Sequence, residues 1–181
     1  NNKNEWYIVA AAGGVWKTSN AGVTFSPIFD GQDAYSIGCI SIDPNNTNVI
    51  WVGTGENNNQ RAVGYGNGLY KSEDGGKSWK NVALGKSEHI GMIAIDPTNG
   101  DNVIVAAYGP LWNAGGERGI YKTTDGAQWD DVVLYLEKGK SLILDIGDVE
   151  NSFTKNSKMV GRNYSNKDML HILVDKNAVT A

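Results

Sequence analysis

The chain has 181 residues, 40% apolar and 20% charged, enough for one packed domain and too apolar for wholesale disorder. Its net charge of −4 and pI near 5.1 weigh against a nucleic-acid or anionic-membrane partner, since both need a basic face. One cysteine, Cys39, excludes an intrachain disulfide and a thiolate metal cluster, and no apolar run approaches the ~18 residues of a spanning helix.

The chain opens at Asn1 without a Met or an apolar leader, so the expectation is a processed protein or a piece of a longer one. A first unit begins near Trp6 and reaches Gly14-Val-Trp-Lys-Thr18. That string recurs as Gly68-Leu-Tyr-Lys-Ser72 and as Gly119-Ile-Tyr-Lys-Thr123, at steps of 54 and 51 residues. Ile37-Gly-Cys-Ile-Ser-Ile-Asp-Pro44 returns 53 residues later as Ile90-Gly-Met-Ile-Ala-Ile-Asp-Pro97. Val49-Ile-Trp-Val52 returns 54 residues later as Val103-Ile-Val-Ala106. Three independent strings keep one period, which is the mark of a repeat architecture.

Each full unit predicts four strands: 37–43, 49–54, 68–72 and 78–83, then 90–96, 102–107, 119–123 and 129–134. The first unit lacks its opening strand. Asp43-Pro-Asn-Asn46, Asp74-Gly-Gly76, Asp96-Pro-Thr-Asn99 and Asp125-Gly126 supply turn chemistry between strands. No helical period appears. The apolar runs are nearly continuous, as in sheets covered on both faces. A four-strand unit of about 50 residues between like neighbours is a propeller blade. A β-sandwich gives no such period, and a β-helix gives a shorter one. The fold expected is therefore an all-β propeller of four-stranded blades, about three and a half of them, an incomplete ring. Residues 1–135 would hold partial blade 1 and blades 2 and 3. Residues 136–181 would be a divergent partial blade or tail, with strands at 141–148 and 169–175. An unclosed stack needs more chain or a partner chain to complete the ring.

The turn before the last strand of the second unit reads Ser72-Glu-Asp74-Gly-Gly76-Lys-Ser78-Trp79. Asp74 can accept hydrogen bonds from turn amides, Ser72 and Ser78 can tie the flanking strands, Gly76 can take positive φ, and Trp79 can bury its ring between sheets. This string resembles the Asp-box, or BNR repeat, of sialidases, sortilin-family receptors and xyloglucan-degrading endoglucanases, all built on β-propellers. Weaker copies read Thr18-Ser-Asn-Ala-Gly-Val-Thr-Phe25 and Thr123-Thr-Asp125-Gly-Ala-Gln-Trp129. Trp51-Val-Gly-Thr-Gly-Glu-Asn57, Asn67-Gly-Leu-Tyr-Lys-Ser72 and Tyr108-Gly-Pro-Leu-Trp112 look like large secreted bacterial proteins with a sortilin-like propeller, often labelled glycosyl-hydrolase-like. The resemblance covers about residues 6–135. It implies a structural role for Ser72, Asp74, Gly76, Ser78, Trp79, Thr123, Asp125 and Trp129, on the face opposite any active site. It also implies a secreted, periplasmic or cell-surface location.

Function is then expected at the other end, in the long loops 53–68 and 108–119 and the links leading into the opening strands. Glu56 and Glu117 are candidates for the carboxylate pair of a glycosidase; the plainer alternative is two solvated loop glutamates. Arg61 and Arg118 suit bidentate capture of a carboxylate, as in the arginine trio of sialidases, with Arg162 the third arginine; they also suit loop anchoring. Glu88 and His89 top an opening strand, where a lone His is commonly structural. Tyr65 and Trp112 suit stacking on a sugar or covering a neighbouring blade. Asn57 completes the candidate ligand set. In the xyloglucan-degrading relatives a catalytic Asp lies in a Thr-Asp-x-Gly-Gly string, and the matching Thr18-Ser-Asn-Ala-Gly22 has no carboxylate. His89 and His171 make no metal-ligand spacing. No cofactor is expected. The leading expectation is a secreted sortilin-like module binding a peptide, protein or glycan, without catalysis in this chain. The alternatives are a xyloglucanase- or sialidase-like glycoside hydrolase fragment, and a structural module completing a propeller with another chain.

Overall fold

The computed structural model describes residues 2–58 and 62–131. Among them every regular element is a strand and none is a helix. The first sheet runs β1 (Trp6–Ala10), β2 (Gly14–Thr18), β3 (Ser26–Pro27). The second runs β4 (Ile37–Ile42), β5 (Ile50–Thr54), β6 (Leu69–Ser72), β7 (Lys80–Ala83). The third runs β8 (Ile90–Ile95), β9 (Val103–Ala107), β10 (Gly119–Thr123), β11 (Asp130–Asp131). All pairings are antiparallel between chain neighbours. The strand expected at 129–134 is seen only to Asp131. The strands expected at 141–148 and 169–175, with Arg61, Arg162 and His171, lie outside the described residues.

The repeated Ile-Gly string has a structural cause. Both opening strands carry the same irregularity, between Ile37 and Cys39 in β4 and between Ile90 and Met92 in β8. A bulge there bends the strand, and glycine admits a close neighbour at such a bend. A Cβ on Gly38 would stand 2.3 Å from the Ile90 carbonyl oxygen, so β4 and β8 approach backbone to backbone.

Side-chain alternation along β5 feeds two cores. Ile50 and Val52 join Val15, Phe29, Ile37 and Tyr70 between the first and second sheets. Trp51 points the other way, with Leu69, Ile90, Ile93, Val103 and Val105 between the second and third. All five residues of β5 are buried. β1 and β9, in the first and third sheets, alternate between more and less covered residues. Only the second sheet stands between two described neighbours.

At one end lie the turns that precede the last strand of each sheet. Asp74 accepts hydrogen bonds from the Lys77 and Ser78 amides, each at 2.9 Å, and from both serine hydroxyls, Ser72 at 2.9 Å and Ser78 at 2.6 Å. Those bonds hold its carboxyl well below the usual carboxylate range, the Ser78 hydroxyl contributing most. The two serines, one at each side of the turn, therefore meet at Asp74. Gly75 and Gly76 have φ of 74° and 87°. Trp79 donates its indole N–H to the carbonyl of Ile28, directly after β3, at 2.7 Å. Asn20 repeats the role of Asp74, accepting from the Thr18 hydroxyl and the Thr24 amide, each at 2.9 Å. Asp125 does so in the third sheet, accepting from the Thr123 hydroxyl and the Ala127 and Gln128 amides.

Candidate functional site

The opposite end gathers the 10–14 turn, the link 27–37, the loop between β5 and β6, the link 83–90 and the loop between β9 and β10. Antiparallel order alone puts these together. Hydrogen bonds then stitch them together within each sheet and, from Gly66 to Glu88, across two. The Gly55 amide donates to Ser36 O and the Gly66 amide to Glu88 O, both at 2.8 Å. The Tyr108 amide donates to His89 O at 2.8 Å, and the Gly109 amide to the Ser87 hydroxyl at 3.2 Å.

Glu56 folds back on its own loop. One carboxylate oxygen accepts from the Gly64 amide at 3.0 Å and the other from the Asn58 side chain at 2.8 Å. The Gly64 amide, more than the Asn58 amide, pulls its carboxyl below the ordinary value, so Glu56 is ionised at neutral pH. A general acid needs the opposite shift. Glu117 accepts from the Lys86 amide at 2.7 Å and so joins the β9–β10 loop to the link before β8. Both candidate catalytic carboxylates thus hold backbone. Arg118 donates to the carbonyls of Pro110 and Asn113 and braces its own loop. Asn57 donates to Gly38 O at 3.0 Å and Gly91 O at 3.4 Å, bridging the bulges of β4 and β8.

His89 is fully buried, and neither ring nitrogen has a hydrogen-bond partner. Its ring lies 5.7 Å from that of Tyr65, tilted by 52°. Burial lowers its affinity for a proton, opposed more weakly by the Glu56 backbone and the Glu88 and Glu56 carboxylates. Ser36, on the other side of the loop, is likewise buried with an unpartnered hydroxyl. A Cβ on Gly64 would fall 1.7 Å from that oxygen, and one on Gly55 would fall 1.9 Å from Glu88 O. Two glycines therefore let the loop lie flat between two opening strands.

Aromatic rings stand out from this end. Tyr35 is 65% exposed, Tyr65 and Trp112 57% each, and Tyr108 40%. Of the residues singled out in the sequence, Glu56, Asn57, Tyr65, Glu88 and His89 meet around one loop. Trp112, Glu117 and Arg118 sit on the next. Tyr108 was not singled out; its signal is an aromatic placed directly after a strand, at the mouth of a long loop. Among the described residues no three His, Cys, Asp or Glu are grouped to hold a metal, and no helix is long and apolar enough to cross a membrane.

No family model matches the chain, and no curated protein matches it. Solved structures do. The GH74 enzyme of Niastella koreensis is similar at 24% identity and TM-score 0.55, over 74% of this chain and 20% of that one. An ancestral GH74 enzyme is similar at 23% and 0.54, over 73% and 17%. The GH74 xyloglucanase from Xanthomonas campestris is similar at 19% and 0.54, over 78% and 22%. This chain spans about a fifth of the length of these structures. GH74 enzymes have β-propeller domains, and at these identities the likeness is one of fold: the described residues are all-β, their antiparallel sheets arranged as in a stretch of those enzymes.

Proposed function

We propose that the chain is a section of a glycoside-hydrolase-like β-propeller, its three sheets successive blades, and that its loop face binds a polysaccharide outside the cell. The observation that carries this reading is the set of exposed rings, Tyr35, Tyr65, Tyr108 and Trp112, on one end of a rigid scaffold. Apolar sugar faces stack on such rings, and surrounding loop polar groups take hydroxyls. Xyloglucan is the substrate class to try first, because a xyloglucanase is among the structures of like fold. Within this section the role is binding. Glu56 and Glu117 hold backbone amides, and the stretch Thr18-Ser-Asn-Ala-Gly22, matched above to the string that holds a catalytic aspartate in xyloglucan-degrading enzymes, has no carboxylate. Acid–base chemistry of a whole enzyme would come from other blades. The peptide-binding alternative is carried by the sortilin resemblance alone.

Affinity electrophoresis tests the reading. The chain should be retarded in gels containing xyloglucan, and Trp112→Ala with Tyr65→Ala should restore free migration while leaving the fold intact. Unaltered migration across a panel of β-linked polysaccharides, or full retardation of the double variant, would contradict it.

A further inference from the structure

Among the described residues the first sheet has three strands where the second and third have four, and its contacts repeat those of its neighbours. β1 occupies the place that β5 holds in the second sheet. Lys17 lies over the Tyr7 ring at 5.0 Å, as Lys71 lies over the Trp51 ring at 5.2 Å. Lys17 then donates to Gly75 O in the next sheet's turn at 3.1 Å, and Lys71 stands beside the equivalent Gly126. β5 has β4 along its far edge and β9 has β8, but among the described residues β1 pairs with β2 alone.

The turn leading into β1 is the second half of the turn that joins an opening strand to its neighbour. In the second sheet the Asn48 amide donates to the Asn46 side chain at 3.2 Å and the Val49 amide to Asn46 O at 2.8 Å. In the third, the Asp101 amide donates to the Asn99 side chain and the Asn102 amide to Asn99 O, both at 3.1 Å. Ahead of β1, the Asn4 amide donates to the Asn2 side chain at 3.1 Å and the Glu5 amide to Asn2 O at 3.2 Å. The next contact repeats as well: the Ala21 amide donates to Asn4 O and the Gly75 amide to Asn48 O, both at 2.9 Å. The strings agree, Asn1-Asn-Lys-Asn4 against Asn45-Asn-Thr-Asn48.

Packing marks the same edge. Ile93 of β8 is buried with β4 packed against its strand, whereas Ile40, its counterpart in β4, is only part-covered. Trp6 and Ile8 on the outer face of β1 are each 47% exposed.

We infer that β1 is an acceptor edge, and that it takes an antiparallel strand of the pattern Ile-Gly-x-Ile-x-Ile-Asp-Pro, delivered from the N-terminal side through the Asn2–Glu5 turn. The Pro would directly precede Asn1, as Pro44 precedes Asn45. The strand would shield Ile40 as β4 shields Ile93. Edges left open in this way invite strand addition.

The test is to fuse a copy of residues 90–97 ahead of Asn1 of the full chain and follow amide exchange in Trp6–Ala10. The alternate amides that β2 leaves unbonded should exchange at least about tenfold more slowly. A fusion with the same eight residues scrambled should leave them unchanged. A free peptide of residues 90–97, added in excess to the unfused chain, gives the second readout if the fusion is insoluble, with the same protection expected. Unaltered exchange in the folded fusion, or equal protection by the scrambled copy, would overturn the inference, as would no protection by the peptide where the fusion is insoluble.

Discussion

Asp74 and Asn20 stand at the same place in successive turns, and both accept a hydroxyl and a backbone amide through one oxygen. What the turn requires is that acceptor, more than the charge. Asp74→Asn should therefore lower the urea midpoint far less than Asp74→Ala, read by fluorescence unfolding. Equal losses would mean that the charge itself holds the turn. His89 makes a different statement. It is buried and resists protonation, while the unfolded chain protonates it near the ordinary 6.5. Between those values the unfolded state binds the extra proton, so stability falls as pH drops. Glu56 and Asp74 have lowered affinities for protons and begin to withdraw their contributions only near their ordinary values of 4.5 and 3.8. Denaturation from about pH 7.5 to about pH 5 should thus show a loss that shrinks in His89→Gln, with His171 common to both chains. An unchanged slope in the variant would show that His89 is solvated.

Loops, strands and turns share the work unevenly. The β5–β6 loop lies between the second and third sheets only because Gly55 has no side chain: its φ is 94°, and a Cβ there would meet the Glu88 carbonyl. Gly55→Ala should cost more than about 2 kcal/mol, measured by chemical denaturation, since neither strain nor clash can relax without parting the sheets. A cost under about 0.5 kcal/mol would mean that the loop is free to move away. Strand positions were legible in the sequence because three strings repeat at one period and the Asp-Gly and Asp-Pro turns punctuate them. The bulge was legible only as a repeated Ile-Gly, since nothing local says which backbone will approach. The site was less legible. That Glu56, Glu117, Arg118 and Asn57 hold backbone depends on partners 8, 31, 8 and 19 residues away, which composition does not specify. Exposure of Tyr35 and Tyr108 depends on neighbouring loops in the same way.

The described part of the molecule rests on three sheets standing side by side, with the opening strands β4 and β8 in contact. Everything proposed for the loop face follows from that placement, because it brings the 53–68 and 108–119 loops to one end. The acceptor edge follows from it as well, since only a repeated placement makes a missing strand recognisable. The most direct measurement is a nuclear Overhauser spectrum of the methyl-labelled chain. A Cβ built on Gly53 would stand 2.5 Å from the Ile90 γ2 methyl, so the α protons of Gly53 and that methyl must be near neighbours across the sheet interface. A strong cross-peak between them is expected. Its absence, with the cross-strand peaks inside each sheet intact, would show that the sheets form but do not stack this way.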